Sequence, residues 1–339
     1  MHEVFIGLGL LIAFLATGAV RRYALAAQIM DIPNARSSHT RPTPRGGGVA
    51  IVLSFSLLAL WFTWSGVIPM RVAVALLGSG LAIALVGFLD DLGHVNSKIR
   101  LLCHFVAAGW ALAWLGGVPP FPVFGCTVDL GWFAVVLVAA YLAWMLNLYN
   151  FMDGIDGIAS LEAITVCMGG ALTWWLAAGT PYWIVPVGFA ACVFGFLVWN
   201  FPPAKIFMGD SGSGFIGITI GVISVWAGHD NPPAFWCWFI LIGCFMVDAT
   251  VTLLRRMSRG SRFDEAHRAH AYQYAARRAG AHRPVTVTVA LINLLWLLPL
   301  AICVALGHLD GVLGVVIAYA PLIWLAYRFK AGAADQQAH

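Results

Sequence analysis

Eleven apolar stretches, each long enough to cross a bilayer as a helix, constrain this sequence more than any other feature. Because a helix rises about 1.5 Å per residue, roughly 20 apolar residues span the hydrocarbon core of a membrane. The pattern therefore predicts an all-α integral membrane protein with about 11 transmembrane helices. The stretches lie at approximately 3–21, 47–66, 71–89, 99–116, 130–147, 157–178, 183–201, 212–228, 235–254, 285–306 and 310–328.

The composition excludes a soluble globular protein. The chain of 339 residues is 61% hydrophobic and only 10% charged, whereas about a quarter of the residues are charged in a soluble domain. One aqueous core cannot hide this much apolar surface, so the lipid bilayer must be the solvent. We expect a single polytopic domain over residues 1–339 and no nucleic-acid partner.

The basic residues fix the predicted orientation. With the N-terminus outside, eighteen of the 19 Lys and Arg residues fall on the cytoplasmic side, and only Arg71 falls outside. Such segregation is the positive-inside pattern of membrane proteins, and it places the C-terminus in the cytoplasm. The polar segments then share the cytoplasmic face, where we expect the active site; they are 31–48, 90–98, 147–157, 200–211 and the basic loop at about 255–284.

The first apolar stretch resembles a cleavable signal peptide but has the wrong charge order. Ala24-Leu25-Ala26 imitates a cleavage site, yet no Lys or Arg precedes the stretch and Arg21-Arg22 follow it. We therefore predict a retained first transmembrane helix. The seven cysteines form no CxxC pair or Cys/His cluster, so we predict no disulfide and no structural metal site.

Two adjacent carboxylates, Asp90 and Asp91, close the third apolar stretch, and Lys98 follows them. In hydrocarbon each carboxylate would cost roughly 2.5–3.5 kcal/mol, which proteins accept mainly in order to bind a cation or a proton. A cap solvated by water at the membrane interface would explain the pair equally well.

Polar residues recur at every third position in the segment NLYNFMDGIDG. Asn147, Asn150 and Asp153 therefore lie along one stripe of a helical turn, with Asp156 just beyond it. Their oxygens are hard ligands that suit Mg²⁺ or Mn²⁺ rather than zinc. An ordinary helix end followed by a turn is the alternative explanation.

A third segment runs from Asn200 through Phe207 to Asp210 and continues as SGSG. It predicts a tight loop that opens the eighth helix. The Gly/Ser run should leave backbone N–H groups free at the helix N-terminus, beside the Asp210 carboxylate. Such a place suits phosphate oxygens and a metal ion.

His267, Arg268 and His270 lie in the longest inner loop, which carries eight arginines. Two histidines three positions apart are expected to share a helical face and to meet phosphate or sugar. For most of the arginines, contact with anionic lipid headgroups is the simpler explanation.

Together these motifs resemble the polyprenyl-phosphate N-acetylhexosamine-1-phosphate transferases (glycosyltransferase family 4), and most of all the O-antigen initiating enzymes of WecA and WbpL type. The resemblance rests on five segments in family order over the full chain: residues 33–39 with 44–48, the Asp90-Asp91 pair with Lys98, NxxNxxDGxDG, FMGDSGS and HRAHAYQ.

The resemblance implies a role for each candidate residue. Asn150 and Asp210 would hold Mg²⁺, or Mn²⁺, together with the nucleotide diphosphate. Phe207 would stack on uracil, with Asp156 and Asn200 beside the uridine. The remaining candidates are catalytic residues Asp90, Asp91, Lys98, Asp153, His267 and His270, and substrate-binding residues Asn147 and Arg268.

The implied reaction moves an N-acetylamino-sugar-1-phosphate from a UDP-sugar to undecaprenyl phosphate and releases UMP, in the bacterial inner membrane. Relatives in the family suggest a homodimer. The loop sequence HRAH, in place of three consecutive histidines, argues against a MurNAc-pentapeptide substrate. It also leaves open how His267, Arg268 and His270 divide their roles, and the sequence leaves the sugar open.

Two other classes of protein share some of these features. A transporter or lipid flippase would also explain eleven helices with intramembrane acids, although coupling carboxylates usually lie near the midplane. A CDP-alcohol phosphotransferase would need an arginine that the segment from Asp156 to Ser160 lacks. Asp248, the deepest acid considered, is predicted to make a buried polar contact.

Overall fold

The computed structural model describes residues 2–33, 38, 41–93, 95–261 and 267–333. Within them the chain is a bundle of helices: α1 His2–Ala26, α2 Val49–Trp64, α3 Met70–Leu92, α4 Ser97–Leu115, α5 Trp132–Met152, α6 Ile158–Ala178, α7 Ile184–Asn200, α8 Asp210–Asp230, α9 Pro232–Leu241, α10 Gly243–Met257, α11 Ala271–Ala279, α12 His282–Ile292, α13 Leu298–Ala305 and α14 Gly311–Arg328. A 3₁₀ turn, Pro181–Trp183, precedes α7, and a π-helical stretch, Asn293–Leu297, joins α12 to α13.

Two short antiparallel hairpins complete the described fold. β1 (Met30–Asp31) pairs with β2 (Thr43–Pro44), and β3 (Phe121–Val123) pairs with β4 (Cys126–Val128). The prediction of an all-α polytopic membrane protein is confirmed, because both sheets are minor additions to a helical bundle.

Each predicted apolar stretch coincides with a helix or a helix pair. Among the described residues, nine helical segments are long and apolar enough to cross a membrane, and α9 with α10 makes up to ten. The remaining apolar helix, α2, has 16 residues. The count of eleven spans and the orientation of the termini remain predictions.

The single span predicted at 235–254 is broken in the structure. The axes of α9 and α10 differ by 67°, with Ile242 between them. Gly243 follows, and a side chain there would meet Tyr319 and Leu322 at 3.0–3.1 Å. The glycine therefore lets the bent chain lie tightly against α14.

Helix α8 is the centre of the bundle, and its membrane-spanning window is entirely buried inside the protein. Its glycines let neighbouring helices approach closely, as small residues do in membrane proteins. A side chain at Gly217 would collide with the backbone of α5 at Met145 and Leu146. Likewise, Gly87 of α3 packs against the backbone of Asp210 and Ser211.

These contacts bring three helix termini to one end of the bundle, which we call the site end. The end of α3 carries Asp90 and Asp91, the end of α5 carries Asn150, and the start of α8 carries Asp210.

Candidate functional site

A polar cavity of about 250 Å³ opens at the site end of the bundle. Six of the thirteen predicted site residues line it: Asn150, Asp153, Asp156, Asn200, Phe207 and Asp210. They come from two of the sequence segments, 147–157 and 200–211, so the structure brings together motifs that the sequence only placed on one predicted membrane face.

The carboxylate of Asp91, from the end of α3, caps the N-terminus of α8. Its Oδ1 accepts a hydrogen bond from Asp210 N–H at 3.0 Å, and its Oδ2 accepts one from Ser211 N–H at 3.3 Å. The next two N–H groups, of Gly212 and Ser213, both donate to Gly209 O at 3.1 Å. The prediction of free N–H groups in this turn is therefore wrong, because a carboxylate from α3 already satisfies the exposed end of the helix.

Arg45 joins the carboxylates of Asp91 and Asp210. Its Nη2 lies 2.5 Å from Asp91 Oδ1 and 3.2 Å from Asp210 Oδ1. Burial alone would lower the pKa of the Arg45 guanidinium, but the two carboxylates raise it above its usual value. The side chain is therefore a fixed cation at the site.

Backbone pairing explains how Arg45 reaches this position. Phe207 N–H donates to Pro44 O at 2.8 Å, and Gly47 N–H donates back to Phe207 O at 2.9 Å. A side chain at Gly48 would clash with Gly212. The glycines after Arg45 thus let its segment lie directly on the loop that opens α8.

Arg100 makes a second bridge. Its Nη1 lies 2.5 Å from Asp90 Oδ2 and 3.6 Å from Asp210 Oδ2, while Asp90 Oδ1 accepts a hydrogen bond from Val95 N–H at 2.8 Å. Lys98, the predicted cation, is exposed at the first turn of α4. Three carboxylates at the site end therefore share two guanidinium groups.

The polar stripe of α5 divides between two places. Asn147 Nδ2 donates back to Ala143 O at 2.7 Å and lies 3.2 Å from His104 Nδ1, beside a small void shared with Asn150 and Asp210. Asn150 Nδ2 approaches Ser213 Oγ at 3.4 Å.

Asp153 lies one residue beyond the end of α5 and lines the cavity. Burial raises the pKa of its carboxyl well above the usual range, and the nearby Asp210 carboxylate adds to the effect. The other carboxylates of the cavity wall therefore disfavour the ionised form of Asp153.

The donor set suits a hard divalent cation. Asn150, Asp153 and Asp210 present oxygens to one cavity, and added positive charge would relieve the repulsion between the carboxylates. Within the described ranges, no three His, Cys, Asp or Glu side chains form a ready-made metal cluster. Mg²⁺ does not need one, because it usually binds one or two carboxylates and completes its shell with water and substrate phosphate.

Another part of the cavity wall is built around Asp156. Its Oδ2 accepts a hydrogen bond from Ala204 N–H at 2.9 Å, and its Oδ1 lies 3.1 Å from His282 Nδ1. The buried Asn200 side chain accepts from Gly157 N–H at 3.0 Å and donates to Ile206 O at 2.9 Å. Asn200 therefore ties the two loops that carry Asp156 and Phe207.

A second cavity, of about 790 Å³, continues from the first. Asp156, Phe207, Gln273 and His282 line both. The wider cavity is basic, and its lining includes Arg41, Arg268, Arg277 and Arg283. Together the two cavities form a polar space whose far side is cationic.

The histidine pair is not helical, contrary to the prediction. His267 and His270 precede α11, with their ring centroids 4.9 Å apart. His270 is the N-cap residue of α11 and is buried, with its Nδ1 3.4 Å from Asp248 Oδ1. The helix starts only at Ala271 because Asp248 and His270 cap it there.

His267 has an environment that disfavours its charged form. Burial, together with the neighbouring His270 and Arg256, lowers the pKa of His267 to about 3, from a reference of 6.5. The neutral imidazole is therefore the form present near neutral pH.

We expect this shift to make the native state less stable as the pH falls below about 6.5, because the unfolded chain then binds a proton that the folded chain refuses. Thermal unfolding of the purified protein between pH 7 and 5 should show this loss. The variant His267→Gln should have a flatter dependence of Tm on pH. An unchanged slope in the variant would contradict the assignment.

Sequence reasoning missed four residues that the structure places at the site. The sequence indicates Arg45 only as part of a motif and Arg100 only as a basic residue of the predicted cytoplasmic side, and it predicts no role for His282 or Gln273. The glycines after Arg45 were the available signal, since a glycine run often marks a close approach of backbones. The segment at 33–39 lies largely outside the described residues, which include only Pro33 and Ser38 from it.

Known proteins share this chain's sequence pattern. The profile described as glycosyl transferase family 4 matches residues 73–228. A probable undecaprenyl-phosphate N-acetylglucosaminyl 1-phosphate transferase of Bacillus subtilis (strain 168) is 26% identical over 297 residues, which cover 85% of this chain and 80% of that protein.

Two further relatives extend the comparison. A decaprenyl-phosphate N-acetylglucosaminephosphotransferase of Mycobacterium tuberculosis (strain CDC 1551 / Oshkosh) is 28% identical, over 83% of this chain and 77% of that protein. A phospho-N-acetylmuramoyl-pentapeptide-transferase of Halalkalibacterium halodurans is 30% identical, over 65% and 71% respectively. The profile match includes the ends of α3 and α5 and the start of α8, and the matches cover most of the relatives' own length, so the chain belongs to glycosyl transferase family 4, the family of polyprenyl-phosphate N-acetylhexosamine-1-phosphate transferases.

Proposed function

We propose that the protein transfers an N-acetylamino-sugar-1-phosphate from a UDP-sugar to undecaprenyl phosphate and releases UMP. The observation that carries the proposal is the meeting of Asp91, Asp210 and Arg45 beside a cavity lined by Asn150 and Phe207. Acidic groups that suit a divalent cation and a fixed guanidinium are what a diphosphate substrate requires. The product would be the first lipid-linked intermediate of O-antigen or a related envelope glycan, made at the inner membrane.

The chemistry asks for charge compensation more than for acid–base catalysis. An oxygen of the lipid phosphate attacks the β-phosphorus of the UDP-sugar, and the bond from that phosphorus to the bridging oxygen breaks, so that UMP leaves with this oxygen. The lipid phosphate has a second pKa of about 6 and is already an anion. The barrier is therefore chiefly repulsion between anions and alignment for in-line attack, for which direct attack suffices.

The two bridging arginines are suited to reduce this repulsion between anions. Arg45 and Arg100 bind the site's own carboxylates. An incoming diphosphate offers the same guanidinium groups a geometry that they bind in bidentate fashion. In the proposal Arg45 orients the diphosphate beside Asp210, while Arg100 keeps Asp90 in place next to the acceptor.

A magnesium ion would be held by Asn150 and Asp210, with Asp153 close enough to add negative charge. When bound, it would neutralise charge that develops on the phosphate oxygens. Mn²⁺ has similar ligand preferences. Asp91, which is committed to the N-terminus of α8, would position Asp210 rather than bind the ion.

Phe207 offers an aromatic face between the two cavities, so we place uracil on it and the uridine near Asp156. Replacing Phe207 by Ala should raise the KM for the UDP-sugar roughly 10-fold, since stacking on a base is worth about 1–3 kcal/mol. The KM for lipid phosphate should change little. Initial rates with each substrate varied in turn would measure both; equal changes in the two KM values would remove the stacking role.

Purified enzyme with undecaprenyl phosphate and single UDP-sugars tests the whole proposal. Release of UMP together with a lipid-linked sugar diphosphate is the expected result, and comparison of UDP-GlcNAc, UDP-GalNAc, UDP-N-acetylfucosamine and UDP-N-acetylquinovosamine would identify the donor. Transport of lipid or solute without UMP release would favour the transporter alternative. That alternative is not favoured by the relatives, which are named as transferases.

A further inference from the structure

Asp248 is a buried acid on the broken membrane helix α10, and the proposed chemistry makes no use of it. Its side chain holds the start of α11. Oδ1 accepts a hydrogen bond from Ala271 N–H at 2.9 Å, and Oδ2 accepts one from Tyr272 N–H at 2.9 Å. Thr252 Oγ1 donates to Oδ1 as well, at 3.1 Å. Asp248 therefore caps a helix that begins 23 residues further along the chain.

Helix α11 needs such support because it has only nine residues. Isolated helices shorter than about 12–15 residues are marginal in water, so tertiary contacts must fix this one. Two hydrogen bonds from a carboxylate to its first N–H groups are among the strongest available, because the acceptor is charged.

The other side of α11 braces the end of α5. Tyr272 Oη donates to Phe151 O at 3.0 Å. A side chain at Gly154 would clash with Tyr272 Oη and would lie 3.0 Å from Gln273 Nε2. Gln273 lines both cavities. Helix α11, which Asp248 caps, thus packs against the segment between Asn150 and Asp156.

Helix α10 is itself anchored below the break. The Phe245 N–H interacts with the fully buried Glu162 carboxyl of α6. Glu162 Oε2 accepts a hydrogen bond from Asn293 Nδ2 at 2.6 Å, at the start of the π-helical stretch. Asp248 therefore belongs to a helix that is fixed at its start, and can act as a rigid support.

We propose that Asp248 is a positioning residue, which sets the nucleotide-binding side of the cavity through α11 and its contacts with residues 151–154. This proposal rests on the proposed function for its kinetic consequence, but its structural consequence does not depend on the identity of the substrate.

The kinetic test compares Asp248→Ala and Asp248→Asn with the wild type. Loss of the cap should raise the KM for the UDP-sugar about 10-fold, because it removes the charged acceptor that fixes the start of α11. The KM for lipid phosphate should stay within about two-fold. Asparagine keeps one acceptor oxygen, so Asp248→Asn should recover most of the loss.

Asp230→Ala is the matched control, since this acid also accepts two hydrogen bonds, from Trp174 Nε1 at 2.7 Å and Thr180 Oγ1 at 2.8 Å, but at the other end of α8. It should lower the Tm without changing either KM. An equal rise of the UDP-sugar KM in both variants would reduce Asp248 to a general contribution to stability.

Hydrogen–deuterium exchange supplies the readout that is independent of catalysis. Asp248→Ala should speed exchange both in residues 271–279 and in residues 151–157, whereas Asp230→Ala should leave both segments unchanged. If Asp248→Ala does not fold, Tyr272→Phe, which removes the hydroxyl that donates to Phe151 O and also interacts with Gly154 and Gln273, should speed exchange in 151–157. Normal exchange in 151–157 in these variants would overturn the positioning role even if the protein proved to be the proposed transferase.

A double variant closes the test. If Asp248 acts through Tyr272, the effects of Asp248→Asn and Tyr272→Phe on the UDP-sugar KM should be less than multiplicative, because the two residues belong to one chain of contacts. Multiplicative effects would contradict the proposal. If the wild type released no UMP with any UDP-sugar, the proposed function would be refuted, but the hydrogen–deuterium exchange result would still hold.

Discussion

Asp210→Ala should abolish sugar-phosphate transfer, with a fall in kcat on the order of 10³-fold or more. The substitution removes an oxygen ligand proposed for the metal ion and also removes the shared partner of Arg45 and Arg100. Membranes that contain equal amounts of each variant, supplied with Mg²⁺ and a labelled UDP-sugar, would measure the loss as lipid-linked product. Asn150→Ala should act in the same direction.

Asp230→Ala provides the control for Asp210→Ala within one helix, because the two aspartates are the first and last residues of α8. It should lose stability and retain transfer. Full activity of Asp210→Ala would remove the metal assignment, and parallel losses in both variants would show that α8 tolerates no change of charge at either end.

Arg45→Ala should lower kcat/KM about 100-fold, since removal of one preorganised partner of a developing charge typically costs 10²–10³ in rate. Arg45→Lys should recover only part of this loss, because a single ammonium group cannot match the fork geometry of guanidinium. Steady-state rates with the UDP-sugar varied would check both values. Arg71→Ala, at a basic residue on the predicted outer side, should behave as the wild type.

The same Arg45 variant makes a prediction about the divalent ion. With the guanidinium gone, Asp91 and Asp210 lose the cation that they share, so stabilisation by Mg²⁺ should begin at lower concentration than in the wild type. Thermal unfolding over a series of Mg²⁺ concentrations would show this shift. A shift toward higher concentrations would mean that Arg45 supports binding of the ion rather than competing with it for the two carboxylates.

The sequence was sufficient to predict the helices and the shared face of the polar motifs, because hydrophobic length and charge segregation are set by the bilayer. Asn150, Phe207 and Asp210 line one cavity, as the family resemblance implied. Whether they hold the metal ion and the uridine stays a prediction.

The pairing of side chains could not be predicted in the same way. Asp91 and Lys98 are near neighbours in sequence, yet Asp91 binds Arg45 and the N-terminus of α8, 119 residues away. Such choices depend on which backbones approach closely, and glycine patterns give only a weak signal of that. The histidine pair was misjudged for a related reason, since the acid that fixes His270 comes from another helix.

The glycine contact between α5 and α8 at Gly217 has a consequence for how this molecule tolerates change. The backbones of the two helices are in direct contact there, and this contact sets the distance between Asn150 and Asp210. A methyl group added at this depth in the bilayer would reach no substrate and alter no charge. It would nevertheless push the two proposed metal ligands apart. A substitution two helical turns into the membrane would therefore make the site at the surface less selective for the coordination geometry of magnesium.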